Sequence, residues 1–304
     1  MAAKVFIDGE VGTTGLQIRA RLERRADITL ISLPEDQRKS RLARLGAFAQ
    51  ADVAILCLPD AAVHEIAPDL RDLPCRVIDA STAHRTDLAW EFGFPELDAG
   101  ARGRIAAAKN VSNPGCYSTG AIALLKPMID AGLIAPDHPI TINAVSGYSG
   151  GGKAMIADFE EGRVQGGFVY ATSQHHKHLP EIMARAGLLR KPIFVPQVGQ
   201  FAQGMIVQVP LHLPPGGPAA AMAALRDHYA SQHFVQVVER AAMGDRIDPQ
   251  RLNNTNRMEL TVDGALETGA TVLIAVLDNL GKGASGAAVQ NLNLLLGLDE
   301  ALGL

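Results

Sequence analysis

The chain has 304 residues, 47% hydrophobic and 20% charged, with a formal net charge of −4. That is enough apolar material for roughly two domains, and it excludes a disordered polymer. No basic stripe of the kind a nucleic-acid binder carries is present. No apolar run approaches the roughly 20 residues of a membrane span. Three scattered cysteines, Cys57, Cys75 and Cys116, give neither a disulfide framework nor a Cys-x-x-Cys metal spacing. The sequence expectation is a cytoplasmic protein acting on a small molecule, with no nucleic-acid partner, membrane or metal.

In chain order, strands are predicted over Lys4–Asp8, Ile28–Leu33, Asp52–Leu58 and Arg76–Asp79. Helices are predicted between them over Gly15–Arg25, Arg38–Leu45 and Ala61–Leu70. Such alternation predicts an α/β domain with a parallel sheet and right-handed crossovers. A helix is predicted over Tyr117–Asp130. From there the pattern changes to strands over Pro139–Ser146, Pro192–Val198, Met205–His212, Phe234–Val238, Met258–Val262 and Thr271–Leu277. Few helices are expected among them, so this part reads as an α+β domain with a mainly antiparallel sheet. The segments Gly147–Gly152 and Leu213–Pro218 read as loops. Ala284–Leu302 returns to helix, with Val289, Leu292 and Leu296 on one face. It is expected to pack on the first domain. The division predicted is 1–115 with 281–304 for a discontinuous nucleotide domain, and 116–280 for a catalytic and oligomerisation domain.

The first strand runs into Gly9-Glu-Val-Gly12-Thr13-Thr14-Gly15 and then a helix. Glycines at a strand-to-helix turn let phosphate approach the helix N-terminus and the positive end of its dipole. The spacing is G-x-x-G-x-x-G, which an ordinary glycine-rich turn would also satisfy. At the end of the second strand, Ser32 stands where an NAD-binding acid is usual, and Arg38 and Lys39 follow. That favours the 2′-phosphate of NADP(H), although Glu35 and Asp36 lie between.

Asn113-Pro-Gly-Cys116 puts one cysteine at a helix start, where dipole and backbone N–H groups favour a thiolate and an oxyanion beside it. Cys57 and Cys75 fall on strand patterns and read as small buried hydrophobes. Gln174-His175-His176-Lys177-His178-Leu-Pro-Glu181 offers imidazoles able to relay a proton near neutral pH. Read as a strand, His176 and His178 share a face, which would also suit a metal or an idle surface cluster. Gly147-x-x-x-x-Gly152-Lys153 nearly spells a nucleotide-triphosphate loop, but Ala154 replaces the Mg²⁺-binding hydroxyl. A loop of that kind still suits a phosphate or carboxylate.

These segments, with Leu277-Asp-Asn-Leu-Gly-Lys-Gly-Ala-Ser-Gly286, resemble the N-acetyl-γ-glutamyl-phosphate reductase family of arginine biosynthesis in its shorter form. The resemblance runs nearly end to end. It implies a Rossmann domain plus an α+β domain related to aspartate-semialdehyde dehydrogenases, and NADPH-dependent reduction of an acyl phosphate through a cysteine thioester. It implies Cys116 as nucleophile and His178 as base, with His176 the alternative. Asn279, Lys282 and Gly283 would lie beside NADP(H), with Gly9, Gly12, Thr13, Thr14, Gly15, Ser32, Arg38 and Lys39 on its other parts. Ser149, Lys153, His176, Glu181 and Arg257 are the candidates for binding substrate; Lys153 stands where the family often has arginine. A homodimer or homotetramer is implied. The rivals are aspartate-semialdehyde dehydrogenase, a thiol hydrolase and a non-catalytic NADPH sensor.

Overall fold

The computed structural model describes residues 2–304, which divide into two compact units. Unit 1 comprises residues up to Pro95, Ala99–Pro114 and Ala284–Leu304; unit 2 comprises Glu96–Asp98 and Gly115–Gly283. Among the described residues no helix is long and apolar enough to cross a membrane.

Unit 1 runs β1 (Ala3–Asp8), α1 (Thr13–Leu22), β2 (Ile28–Ile31), α2 (Arg41–Gln50), β3 (Val53–Leu56), α3 (Asp60–Leu70), β4 (Arg76–Asp79), β5 (Glu91–Phe92), α4 (Ala101–Ala107) and β6 (Asn110–Ser112). Its strands lie in the order β2-β1-β3-β4-β6-β5, and all the pairings are parallel. Parallel strands need covering on both faces, and the alternation of side chains supplies it. Val5, Ile7, Val53 and Ile55 point into one core cluster, shared with Ile18 and Leu22 of α1. Phe6, Ala54 and Leu56 point into the other, where Phe6 meets Phe48 of α2 edge to face with ring centroids 5.0 Å apart. The order reverses at β1, which has β2 on one side and β3 on the other, so a crevice opens beyond the carboxyl ends of β1 and β3.

Helix α2 begins at Arg41, later than the sequence pattern suggests. Ser40 decides this, because its hydroxyl accepts the Ala43 amide at 3.3 Å and caps the helix. The predicted Ala284–Leu302 helix is shorter, at Gly286–Leu296. It ends at Gly297 in the left-handed region (φ 67°) and follows a π-helical turn over Gly281–Ser285. This C-terminal helix gives Ala288, Val289, Leu292 and Leu295 to the core cluster containing α1, while Leu296 is only partly buried against it.

Unit 2 runs α5 (Cys116–Asp130), β7 (Thr141–Gly147), α6 (Gly152–Glu160), β8 (Gly167–Val169), α7 (Leu179–Ala186), β9 (Ile193–Gly199), β10 (Met205–His212), α8 (Gly217–Tyr229), β11 (Val235–Val237), β12 (Met258–Gly264) and β13 (Ala270–Leu277). Its sheet is mixed, in the order β11-β12-β13-β10-β7-β9-β8. The pairs β12–β13, β13–β10, β10–β7 and β9–β8 are antiparallel; β11–β12 and β7–β9 are parallel. The expectation of a mainly antiparallel sheet overlooked α6 and α7, which lie between β7 and β9 and provide the crossover a parallel pair requires. The supposed loops also fold further. Tyr148–Gly151 is a 3₁₀ turn leading into α6, and Gly217-Pro218 is the start of α8, where proline is well tolerated.

Candidate active and nucleotide sites

In unit 1 the glycine turn lies at the crevice beyond β1 and β3. The Cys57 amide donates to the Asp8 carbonyl at 2.7 Å, so the two strand ends are tied together there. Gly9 takes φ 93°, and a Cβ on it would stand 2.3 Å from the Cys57 carbonyl oxygen. A Cβ on Gly15 would stand 2.4 Å from the Gly9 carbonyl oxygen. Both positions therefore need glycine. Gly12 is the N-cap of α1 with no side-chain cap, and Thr13 and Thr14 open the helix, so the dipole end is presented bare. A cavity of about 540 Å³ lies beside the turn, lined by Gly9, Glu10, Leu33, Arg38, Lys39 and Leu58 among others. Its size, glycine rim and cations fit the adenosine end of a dinucleotide. Glu35 and Asp36 also line it. Buried beneath the turn, Asp8 accepts from Arg44 Nη2 at 2.6 Å; burial pushes its carboxyl up, outweighing the pull of Arg44 downward.

Sequence reasoning missed two residues here. Glu10 and Arg19 meet Ser32 and Arg38 at the end of β2, with Arg19 Nη1 donating to Ser32 Oγ at 2.8 Å and to Glu10 Oε2. The signal was available, since Arg19 lies one turn or so along α1 from the glycine motif.

In unit 2, Cys116 is the first residue of α5. Its neighbour Gly115 donates its amide to Glu181 Oε1 at 2.9 Å. Glu181 is in the first turn of α7 and is 1% exposed. A substrate-binding candidate in the sequence, it ties the start of α5 to α7. His178 is the N-cap residue of α7, so this tie brings the cysteine's turn and the histidine's turn together. Segment 174–178 is irregular backbone rather than a strand, and the imidazoles of His176 and His178 meet edge to face, with centroids 4.7 Å apart. His176 Nδ1 accepts the His178 backbone N–H at 3.1 Å. A neutral ring with an accepting Nδ1 carries its proton on Nε2, and that nitrogen stands 3.2 Å from Tyr170 Oη. Tyr117 Oη donates to the Gln197 carbonyl at 2.8 Å, and the Tyr117 ring lies 5.9 Å from each of the His176 and His178 rings. Burial pushes the Tyr170 phenol up to about 12, and the charge of a Cys116 thiolate adds to the shift. Burial, with the same thiolate contributing, lifts Tyr117 still further. Both phenols therefore stay protonated. Tyr170 and Tyr117 were not picked out from the sequence.

The segment after β13 backs the cysteine. A Cβ on Gly283 would lie 2.9 Å from the Cys116 Cβ, so only glycine packs there. Asn279 accepts the Gly204 amide at 2.7 Å and donates to Ser149 Oγ at 3.0 Å, pinning the turn that follows β7. Lys282, expected beside the cofactor, is 1% exposed, and its ammonium lies 2.8 Å from both oxygens of Glu96. The Phe234 ring lies 5.7 Å away. This is an internal ion pair, and breaking one partner of such a pair typically costs about 3–5 kcal/mol. Arg257, expected on a substrate anion, directs its guanidinium to Gln236 Oε1 at 2.6 Å. Lys153 is exposed on the first turn of α6. The other cysteines differ in character: Cys75 is buried, and burial with Asp79 and Asp8 nearby pushes Cys57 up to about 12, far from a thiolate at neutral pH. Among the described residues no three His, Cys, Asp or Glu side chains form a group that could hold a metal.

Residues 32–103 match the NAD-binding domain of semialdehyde dehydrogenase, and residues 116–279 match its dimerisation domain. The second match begins at Cys116. Two solved structures share the fold over nearly the whole chain. Aspartate semialdehyde dehydrogenase II from Vibrio cholerae is 18% identical, with a TM-score of 0.73, covering 98% of this chain and 99% of its own. A probable aspartate-semialdehyde dehydrogenase from Pseudomonas aeruginosa is 16% identical, with a TM-score of 0.73, covering 97% and 99%. The N-acetyl-γ-glutamyl-phosphate reductases of Brucella ovis and Brucella suis are far nearer, each 51% identical over 309 residues, spanning 98% of this chain and 100% of theirs. At that identity and coverage, the chain belongs to the N-acetyl-γ-glutamyl-phosphate reductases, within the semialdehyde dehydrogenase family.

Proposed function

We propose that this protein reduces N-acetyl-L-glutamyl 5-phosphate to N-acetyl-L-glutamate 5-semialdehyde with NADPH, through a thioester on Cys116, as a step of arginine biosynthesis. The observation that carries the reading is the joined start of two helices: Cys116 opens α5, and Glu181 fastens that opening to the turn headed by His178.

The residue chemistry follows. His178 takes the thiol proton of Cys116. The thiolate attacks the acyl carbon, its C–S bond forms, and the C–O bond to phosphate breaks to release inorganic phosphate. The nicotinamide, when bound, supplies the hydride. Cys116 then leaves as thiolate when the C–S bond breaks and the aldehyde forms. Sulfur suits both halves, since it attacks well and leaves well. The backbone N–H groups opening α5 stabilise the oxygen that becomes negative, and His178 shares its proton with that oxygen. His176 acts as a positioning residue, because its Nδ1 is occupied by the His178 amide.

Gly9, Gly12, Thr13, Thr14 and Gly15 would hold the pyrophosphate, with Ser32, Arg38 and Lys39 on the 2′-phosphate. Gly15→Ala is expected to weaken NADPH binding by at least about tenfold, because the added Cβ displaces the Gly9 carbonyl. Fluorescence titration with NADPH checks it, with far-UV circular dichroism showing that the fold is kept. We further propose a homodimer or homotetramer in the cytoplasm. The dimerisation-domain match over residues 116–279 supports the assembly, and the free cysteines suit a reducing compartment.

Assay of the reverse reaction, with NADP⁺, inorganic phosphate and N-acetylglutamate semialdehyde, tests the whole reading. Phosphate-dependent NADPH formation is expected. Faster turnover of aspartate semialdehyde would shift the substrate, and no turnover of either aldehyde would end the proposal.

A further inference from the structure

A carboxylate occupies the point at the end of β2 where the cations converge. Arg19 Nη1 donates to Glu10 Oε2, and Ser32 Oγ donates to the same oxygen at 3.2 Å. Arg38 Nη2 lies 3.4 Å from the other oxygen, Oε1. Glu10 is only 8% exposed, so two guanidiniums and a hydroxyl surround a nearly buried anion. The fit is incomplete on one side. Arg38 Nε is shut away from solvent and has no hydrogen-bond acceptor among the described residues. A buried donor left without an acceptor is unfavourable, and a guanidinium fork donates to phosphate oxygens as well as to carboxylate ones. Glu10, Arg38 and Lys39 all line the cavity beside the glycine turn.

We propose that Glu10 is an internal substitute for the cofactor's 2′-phosphate. It holds Arg19 and Arg38 converged in the free protein and gives them up when a 2′-phosphorylated nucleotide enters. Glu10 and Arg19 thereby set the discrimination between nucleotides with and without that phosphate. The inference rests on the NADP reading above. Its reason is electrostatic: a carboxylate and a phosphate dianion cannot share the same two guanidiniums without repulsion, so each phosphate contact is made at the expense of a Glu10 contact. The alternative role for an acid at this strand end, accepting a ribose 2′-hydroxyl, makes the opposite prediction.

The test uses the full chain and calorimetric titration with two fragments, adenosine 2′,5′-bisphosphate and adenosine 5′-monophosphate. Glu10→Gln removes the charge but keeps the shape. It is expected to tighten the bisphosphate by roughly threefold to tenfold, as loss of a competing part-exposed ion pair should, and to leave the monophosphate within about twofold. Arg19→Met is expected to weaken the bisphosphate by about fivefold or more and to spare the monophosphate. A Glu10→Gln protein that binds the bisphosphate no better, or tightens both fragments alike, overturns the proposal. If Glu10→Gln does not fold, Arg19→Met decides: unchanged bisphosphate affinity overturns it. A wild-type protein that binds both fragments equally removes the NADP reading, and this proposal falls with it. A wild-type preference for the bisphosphate without the Glu10→Gln effect removes this proposal alone.

Discussion

Cys116→Ser is expected to lower kcat by ~10³-fold or more, at least ~4 kcal/mol of transition-state stabilisation, while NADPH binds within about twofold of wild type. The oxygen is smaller than the sulfur it replaces, so the packing against Gly283 tolerates it, and loss of fold is not the expected cause. Two steps suffer together. A serine hydroxyl near neutral pH is a weak nucleophile without strong activation, and an alkoxide is a poor leaving group when the hydride adduct must collapse. Steady-state kinetics with a parallel NADPH titration measures both. Near-normal turnover with the nucleotide site intact would dismiss the thioester.

His178→Asn is expected to cost about 10²–10⁴-fold in kcat and to flatten the pH dependence of kcat/KM near neutrality. His176→Asn should cost less, on the order of tenfold, and keep the shape of that pH profile. The asymmetry comes from the hydrogen bonds. The Nδ1 of His176 is taken by the His178 amide, and its Nε2 faces the Tyr170 hydroxyl, a group that burial holds protonated. A ring held on both sides is fixed in place, which suits positioning rather than proton transfer. If His176→Asn proved the more damaging and changed the pH profile, the two roles would be exchanged.

What the sequence revealed was local chemistry. The glycine turn, the cysteine at the mouth of a helix and the histidine cluster are each read within about ten residues, and each carries its own physical signature. The parallel sheet of unit 1 was legible because its strands are short apolar runs separated by helices of ordinary length. In unit 2, α6, α7 and α8 were passed over. Helix α8 begins Gly-Pro-Ala-Ala-Ala-Met, a stretch whose small residues give little amphipathic contrast, and α7 starts inside the motif already assigned to chemistry. Roles that depend on distant partners were beyond sequence reasoning. Glu181 meets Gly115 across 66 residues, and Lys282 meets Glu96 across 186. In sequence both belong to motifs; in the structure each is buried against a partner far along the chain. Glu10 and Arg19 were hidden for a different reason: they sit inside and just past the glycine motif, while their partners Ser32 and Arg38 lie beyond β2.

The hydrophobic cluster that joins α1 to Ala288, Val289, Leu292 and Leu295 has a consequence for biosynthesis. Those four side chains leave the ribosome only after all of Gly115–Gly283 has been made, about 10–30 seconds later at typical translation speeds. During that interval the parallel sheet has apolar side chains on one face waiting for their cover. The packing of this cluster is therefore complete only once the last turns of the chain have been translated.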